Sequence, residues 1–275
     1  MPRIISWNIN GQRNTWNELK PSDADVFLLQ EAPAPLALPY DIHPQDSEPW
    51  ETEGSKNRPW RTAVVRVGEG IRMNGIPERH LGQSGSEQLG VSRLGTIAAA
   101  KVEFDDLEEP ITLVSVYGVW EKAATSRWIM ADAAVHRLIS DVSSLIGKQK
   151  GHQIIVAGDF NILHGYGEKG SKYWARRYEN VFQRMTALGL EYCGPQAPNG
   201  EQASPKPSEL PTDSLDVPTY RKNQGEHESA TRQLDFVFAS SSLRDRMRVR
   251  ALNRPEEWGP SDHCRIQIDL ETASN

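Results

Sequence analysis

The sequence predicts an α/β fold with helices packed outside its sheets. Three observations carry this. Short apolar, β-branched runs are interleaved with segments of helical periodicity along the whole chain. One of those segments repeats apolar residues at alternating three and four spacing and a second is amphipathic, so each has one face to bury. No internal repeat and no break in composition marks a boundary, so residues 1–275 read as one domain of packed layers.

Each element has its own signal. Arg3–Ile9 reads as a strand, and Asn10-Gly11 ends it with a turn. Asn14–Leu19 reads as a short helix stopped by Pro21. Val26–Gln30 is a buried strand that runs into Glu31 and a proline-rich stretch, and residues 41–61 read as irregular. Strands are expected at Thr62–Val67, Gly95–Phe104 and Ile111–Tyr117, with a Gly/Ser-rich loop at Gly82–Gly90. Trp128–Ile146 is the clearest helix: Trp128, Ala131, Val135, Leu138, Val142 and Leu145 share a face, and Gly147 stops it. Gln153–Ala157 is a buried strand closed by Gly158. A second amphipathic helix carries Tyr178, Val181, Phe182, Met185 and Leu188 and ends at Gly189. Gly194–Pro218 is polar, holds six prolines and reads as a long loop that gates a site. Leu234–Ala239 is a buried strand, and Arg265–Leu270 closes the chain. Arg246–Ala251 alternates arginine with apolar residues, as a charged edge strand does.

Composition narrows the function. Charged residues make up 25% and apolar residues 37%, which is enough for a full core. A net charge of −6 argues against a surface coated in cations for indiscriminate nucleic-acid binding, while leaving room for a local basic groove. Two cysteines, Cys193 and Cys264, make no disulfide framework, and the strand-like N-terminus leaves no room for a signal peptide, so a cytoplasmic location is expected. No stretch approaches the roughly 18 apolar residues of a membrane span.

Polar residues gather at strand exits. Asn8 and Asn10 follow the first strand, and Glu31 ends the second. Tyr117 ends SVYG, and Asp159 and Asn161 follow the central strand at a spacing that places them on one side. Asp235 sits within LDFVFA, and Asp262-His263 precede the last strand. Such residues taken singly also make turns and solvated ends, and GD-x-N makes an Asx turn. Asp235 is harder to explain that way, because an acid inside an apolar run needs a partner, and His263 is the natural one. Carboxylates and amides with few soft ligands suit Mg²⁺ or Mn²⁺ rather than zinc. With a histidine to balance developing charge, the set suits metal-assisted hydrolysis of a phosphate ester.

In order, SWNINGQR, LLQE, SVYG, AGDFNIL, QLDFVFAS and SDHC resemble the endonuclease/exonuclease/phosphatase superfamily, over Ile4 to Ile268. The resemblance implies a four-layer α/β/β/α sandwich, two packed mixed β-sheets flanked by helices, with the site at one end of the sheets. It implies Glu31 as main metal ligand, Asn10 close to that metal and Asp262 as a metal-side acid. It implies that Asn8 orients Asp159, that Asp159 activates water or serves the leaving group, and that Asn161 contacts phosphate or water. His263 is implied to stabilise the phosphoryl charge, Asp235 to orient it and Tyr117 to contact phosphate. Two departures separate the chain from the AP-endonuclease branch: Gly118-Val119-Trp120 follows Tyr117, and Arg232 stands where that branch often has tryptophan.

The expected activity is therefore divalent-metal-dependent phosphodiester hydrolysis, with DNA as substrate. A phosphoinositide or sphingomyelin-type headgroup is the alternative substrate, and a non-catalytic module of the same fold is disfavoured because every site position is filled by a competent side chain. Arg13, Arg221, Arg232 and His164 are the expected substrate contacts, and most of Trp50, Trp60, Trp120, Trp174 and Trp258 are expected to serve packing.

Overall fold

The computed structural model describes residues 1–35, 40–45, 49–54, 56–122, 129–147, 151–222 and 227–271. The N-terminal half builds β1 (Arg3–Asn8), a 3-10 turn at Arg13–Glu18, β2 (Val26–Pro33), β3 (Asp41–His43) and β4 (Trp60–Arg66). It continues through β5 (Ile71–Ile76), β6 (Glu78–His80), β7 (Leu89–Val91), β8 (Ile97–Phe104) and β9 (Ile111–Tyr117). Then come α1 (Ala131–Ile146), β10 (Ile154–Asp159), α2 (Lys172–Ala187) and β11 (Leu190–Gly194). The remainder is β12 (Tyr220–Arg221), β13 (Ala230–Arg232), β14 (Asp235–Ser240), α3 (Ser241–Arg244), β15 (Met247–Leu252) and β16 (Arg265–Leu270).

Two six-stranded mixed sheets result, ordered β15-β16-β1-β2-β4-β3 and β11-β14-β10-β9-β8-β5. In each, a central pair is parallel: β1 with β2, and β10 with β9. Period-two alternation places Ile4, Val26, Leu28 and Val64 of one sheet against Ala100, Leu113, Ile155 and Val237 of the other, forming the inter-sheet core. The outer face of the second sheet buries Val114, Val156, Phe236 and Phe238 under α1 and α2, through Val135, Leu138, Val181 and Phe182. On the outer face of the first sheet, Trp7, Phe27, Leu29 and Val65 are covered by Trp16 and Leu19 and by the half-buried Tyr40 and Trp50. Among the described residues this fourth layer is a 3-10 turn and loops, thinner than the two-helix layer opposite.

Differences from the sequence reading have physical causes. The strands it missed are β3, β5, β6, β7, β11, β12 and β13; β3, β6, β7, β12 and β13 have three residues or fewer, and β3, β5 and β11 are sheet edges, where burial imposes little periodicity. Helix α2 begins a turn and a half before Tyr178, because Ser171 accepts the Trp174 amide as N-cap and the first turns face water. Trp128 lies outside the described residues. Strand β15 is an edge strand as expected, with Arg250 paired to Glu257 and Arg246 bonded to the Glu271 carbonyl at 3.0 Å. Residues 194–218 do form a long irregular segment, but not a detachable gate. Leu210 and Val217 are built into the two cores, Asn253 donates to the Glu201 and Pro218 carbonyls at 2.8 and 3.0 Å, and His164 holds Asp216.

Between the sheets, directly beneath the site, runs one buried polar link. Gln30 Nε2 donates to Ser115 Oγ at 2.9 Å, and Ser115 Oγ donates to the Leu29 carbonyl at 2.8 Å. Glu31 is the next residue after Gln30, and Tyr117 lies two residues beyond Ser115, so this link fixes the two halves of the site against each other.

Candidate active site

Strand register assembles most of the site. Asp159 on β10 pairs with Tyr117 on β9 and with Asp235 on β14, so the three side chains emerge in a row. Gly158 permits this, because a Cβ there would stand 2.0 Å from the Val116 carbonyl oxygen. Asn8 ends β1 in the facing sheet and is fully buried. Its Nδ2 donates to Asp159 Oδ2 at 2.9 Å and to Glu31 Oε1 at 3.1 Å, and its Oδ1 accepts the Asn10 amide at 2.9 Å. One side chain thus uses both amide protons to tie two carboxylates from different sheets.

Local backbone shape turns the other residues inward. Across β2 and β4, Gln30 and Glu31 together face Thr62, a bulge that re-aims Glu31. Glu31 has φ +48°, Asn10 +49° and Asn161 +53°. Among the described residues, these are three of the four non-glycine positions in the left-handed region, which is where strained backbone tends to serve function.

Asp159 is 1% exposed. Its Oδ1 accepts the Asn161 amide at 2.8 Å, while Oδ2 accepts Asn161 Nδ2 at 3.0 Å as well as Asn8. Burial pushes its pKa up; the His263 charge opposes that rise, and Asp235 and Glu31 add to it. Asn161 Nδ2 also donates to the Gly118 carbonyl at 3.2 Å, so its side-chain donors are engaged by Asp159 and Gly118. Asn161 thus clamps Asp159 through both its backbone and its side chain.

His263 Nδ1 lies 2.8 Å from Asp235 Oδ2, the partnership expected from the sequence, and Nε2 lies 3.8 Å from Asp159 Oδ2. Burial would lower the imidazole pKa, but Asp235 and then Asp159 overcome it and hold the ring protonated. Ligand atoms of Asp159, Asp235 and His263 lie within 4.8 Å of one another. With His263 Nδ1 on Asp235, the trio is an ion-pair cluster whose atoms also stand close enough together to share a cation.

The half-buried Glu31 carboxylate, after burial itself, is the main cause of the raised Tyr117 pKa. Asp262 is also half-buried; its Oδ1 accepts from Ser261 Oγ at 3.3 Å, and no hydrogen bond among the described residues joins it to Glu31 or Asn10. Several supporting residues had no sequence signal. Thr219 Oγ1 accepts the Leu234 and Asp235 amides at 3.0 and 3.1 Å, Ser261 Oγ donates to the Asn8 carbonyl at 2.6 Å, and Tyr220 lies against the His263 ring at 5.0 Å. Only Ser261, within SDHC, fell inside a motif.

Three of the four expected substrate contacts are already engaged within the chain. Arg221 donates to the Gly259 and Ser261 carbonyls at 3.2 and 3.0 Å and lies over Trp258, bracing the loop that carries His263. Arg232 makes a two-pronged pair with Glu168 at 3.2 and 3.0 Å. His164 Nδ1 lies 2.8 Å from Asp216, and its ring packs among Phe182 and Tyr192. Arg13 stays exposed on the 3-10 turn.

Two packed mixed sheets flanked by further layers, with a buried Asn–Asp–His cluster at their strand exits, define a layered α/β sandwich with one polar site at its mouth. The Endonuclease/Exonuclease/phosphatase family model matches residues 5–263, and the chain belongs to that family, whose hydrolytic members support an enzyme. The Xenopus laevis APE2 catalytic domain is similar in structure, with TM-score 0.64, 12% identity, and coverage of 98% of this chain and 91% of that one. The AP endonuclease LMAP from Leishmania major gives 0.61 at 15% identity, over 98% and 87% of the two chains. The 3'-5' exonuclease NExo from Neisseria meningitidis gives 0.57 at 15% identity, over 98% and 99%. At such identities these likenesses show the fold alone. Among curated proteins, none matches the sequence significantly.

Proposed function

We propose that the protein is a divalent-metal-dependent phosphodiesterase that hydrolyses DNA with water as nucleophile, the whole chain forming one catalytic domain. The observation that carries this is the clamped Asp159 beside the protonated His263, two groups of complementary charge 3.8 Å apart at the mouth of two sheets. Asp159, its pKa raised, positions a water and takes its proton. His263 directs Nε2–H toward the phosphoryl oxygens, where negative charge grows. Asp235 keeps that ring in orientation, and Asn8 and Asn161 keep Asp159 in place.

The donor set fits a hard cation. Glu31, Asp159 and Asp235 converge with one imidazolium between them, which leaves negative charge uncompensated, and Glu31 is aimed by a strained bulge. Glu31, Asn10 and Asp262 would hold Mg²⁺ or Mn²⁺, which when bound supplies Lewis-acid charge to the phosphate.

DNA is favoured over a lipid headgroup. Neighbours of the same fold include nucleases and a 3' phosphatase bound to product DNA hairpin. Cys193 and Cys264 are unpaired, which supports a reducing, cytoplasmic location. The test is cleavage of plasmid, single-stranded DNA, RNA, abasic duplex and phosphoinositide with Mg²⁺ or Mn²⁺. DNA cleavage abolished by EDTA and restored by either metal is expected. Full activity in EDTA, or turnover of phosphoinositide with no nucleic acid cut, would overturn the proposal.

A further inference from the structure

On the Tyr117 side of the site stand two side chains that the catalytic cluster does not use. The first is Trp120. Trp7, Trp16 and Trp258 are buried, whereas Trp120 is 55% exposed. It is not loose chain. The Gly118 amide donates to the Asp159 carbonyl at 2.7 Å, and a Cβ on Gly118 would stand 2.5 Å from the Phe160 carbonyl oxygen, so the segment is pressed onto the exit of β10. Val119 is buried and its amide donates to the Tyr117 carbonyl at 3.1 Å. Glu121 pairs with Arg93 at 3.1 Å and Arg137 at 3.2 Å, and its backbone bridges Met130. Both neighbours are anchored, and the indole between them is held out in water. Two Cα steps of about 3.8 Å separate it from Gly118, so it lies at the edge of the site.

The second is Arg58. Its guanidinium lies 5.5 Å from the centre of the Trp60 ring. Trp60 in turn lies against the Gly11 turn, where a Cβ would be 3.4 Å from the indole, and the Gly11 amide donates to the Glu31 carbonyl at 2.9 Å. Arg58 and Thr52 exchange backbone hydrogen bonds of 3.0 and 2.9 Å, and Thr52 Oγ1 donates to the Trp60 carbonyl at 2.6 Å. The cation thus rests on an aromatic shelf with a fixed backbone. Its charge reaches Tyr117, where it opposes the upward shift of the hydroxyl pKa. Yet among the described residues no carboxylate pairs with it, while Arg221 and Arg232 are both engaged. An exposed, rigid, unpaired cation beside an acidic cluster is placed for an external anion.

We infer that Arg58 and Trp120 form a nucleotide subsite on the Tyr117 side, Arg58 binding a backbone phosphate next to the cleaved one and Trp120 stacking on an unpaired base. This rests on the phosphodiesterase reading above and names the substrate more narrowly. A lipid headgroup offers the phosphate but no aromatic plane; a single-stranded or frayed nucleic acid offers both.

The test compares a short single-stranded oligodeoxynucleotide with a base-free backbone of equal length, using wild type, Arg58→Gln, Trp120→Ala and Trp120→Phe. Trp120→Ala should raise KM for the base-bearing strand about tenfold and leave the base-free strand far less affected, with Trp120→Phe recovering most of the loss. Arg58→Gln should raise KM for both strands and reduce the salt dependence of binding by roughly one phosphate contact. Equal effects of Trp120→Ala on both strands, or an unmoved KM and salt slope for Arg58→Gln, would overturn the subsite while wild-type cleavage upheld the nuclease reading. A wild-type enzyme that turns over phosphoinositide and cuts neither strand would overturn both.

Discussion

The two halves of the site are built in opposite ways. Asp159, Asp235 and His263 are each under 5% exposed, and every one is held by named partners from at least two elements. Glu31, Asn10 and Asp262 are half-buried, and the Glu31 carboxylate accepts from Asn8 and from the Tyr117 hydroxyl. The closed half is organised before any ligand arrives, as proton transfer and charge stabilisation require. The open half keeps oxygen lone pairs free, as binding a hard cation requires. Asn8 is the hinge between them, since it alone donates to both Glu31 and Asp159.

The strongest way to break this comparison is to open the closed half. His263→Ala and Asp235→Asn should each cost on the order of a hundredfold in kcat, and the double variant much less than the product of the two, because the pair acts as a unit. Independent effects in steady-state kinetics would show that the 2.8 Å contact is incidental. Next in size is the open half. Glu31→Gln should lower turnover at ordinary metal concentration and require more Mg²⁺ or Mn²⁺ for half-maximal rate, as a metal titration would show.

The link beneath both halves should matter more to stability than to chemistry. Ser115→Ala removes one of three acceptors of Gln30 Nε2, with the Leu28 carbonyl and Ser6 Oγ remaining, and one donor to the Leu29 carbonyl, a loss of about 1 kcal/mol in denaturant unfolding. The smallest effect belongs to the surface: Arg232→Gln breaks an ion pair that is 39% and 40% exposed on its two sides. It should change stability by less than about 1 kcal/mol. Charge reversal at Arg221, by contrast, would disturb the loop carrying His263 and so would report on the fold rather than on a DNA contact.

Legibility in the sequence followed the same division. The strand exits were readable because each joins a continuous apolar run to a polar residue that cannot belong to it, as at Asp159 and Asp235. The Asp235–His263 pair was readable because a buried acid demands a partner. What joins residues across space was not readable: the Gln30–Ser115 link depends on how two sheets face each other, and Thr219 and Tyr220 on where a long loop returns. Charge alone misled as well. Arg221, Arg232 and His164 look free in the sequence, while in the fold each answers a carbonyl or carboxylate of its own chain. Arg58, with no motif around it, is an exposed cation for which no carboxylate partner stands among the described residues.

The most direct measurement is one metal titration of DNA cleavage run on wild type, Glu31→Gln and His263→Ala. With separate tasks for the two halves, Glu31→Gln shifts the metal midpoint upward and recovers part of its rate at high metal, while His263→Ala lowers the plateau and leaves the midpoint near that of wild type. Equal midpoint shifts in the two variants, or recovery of His263→Ala by added metal, would contradict the division.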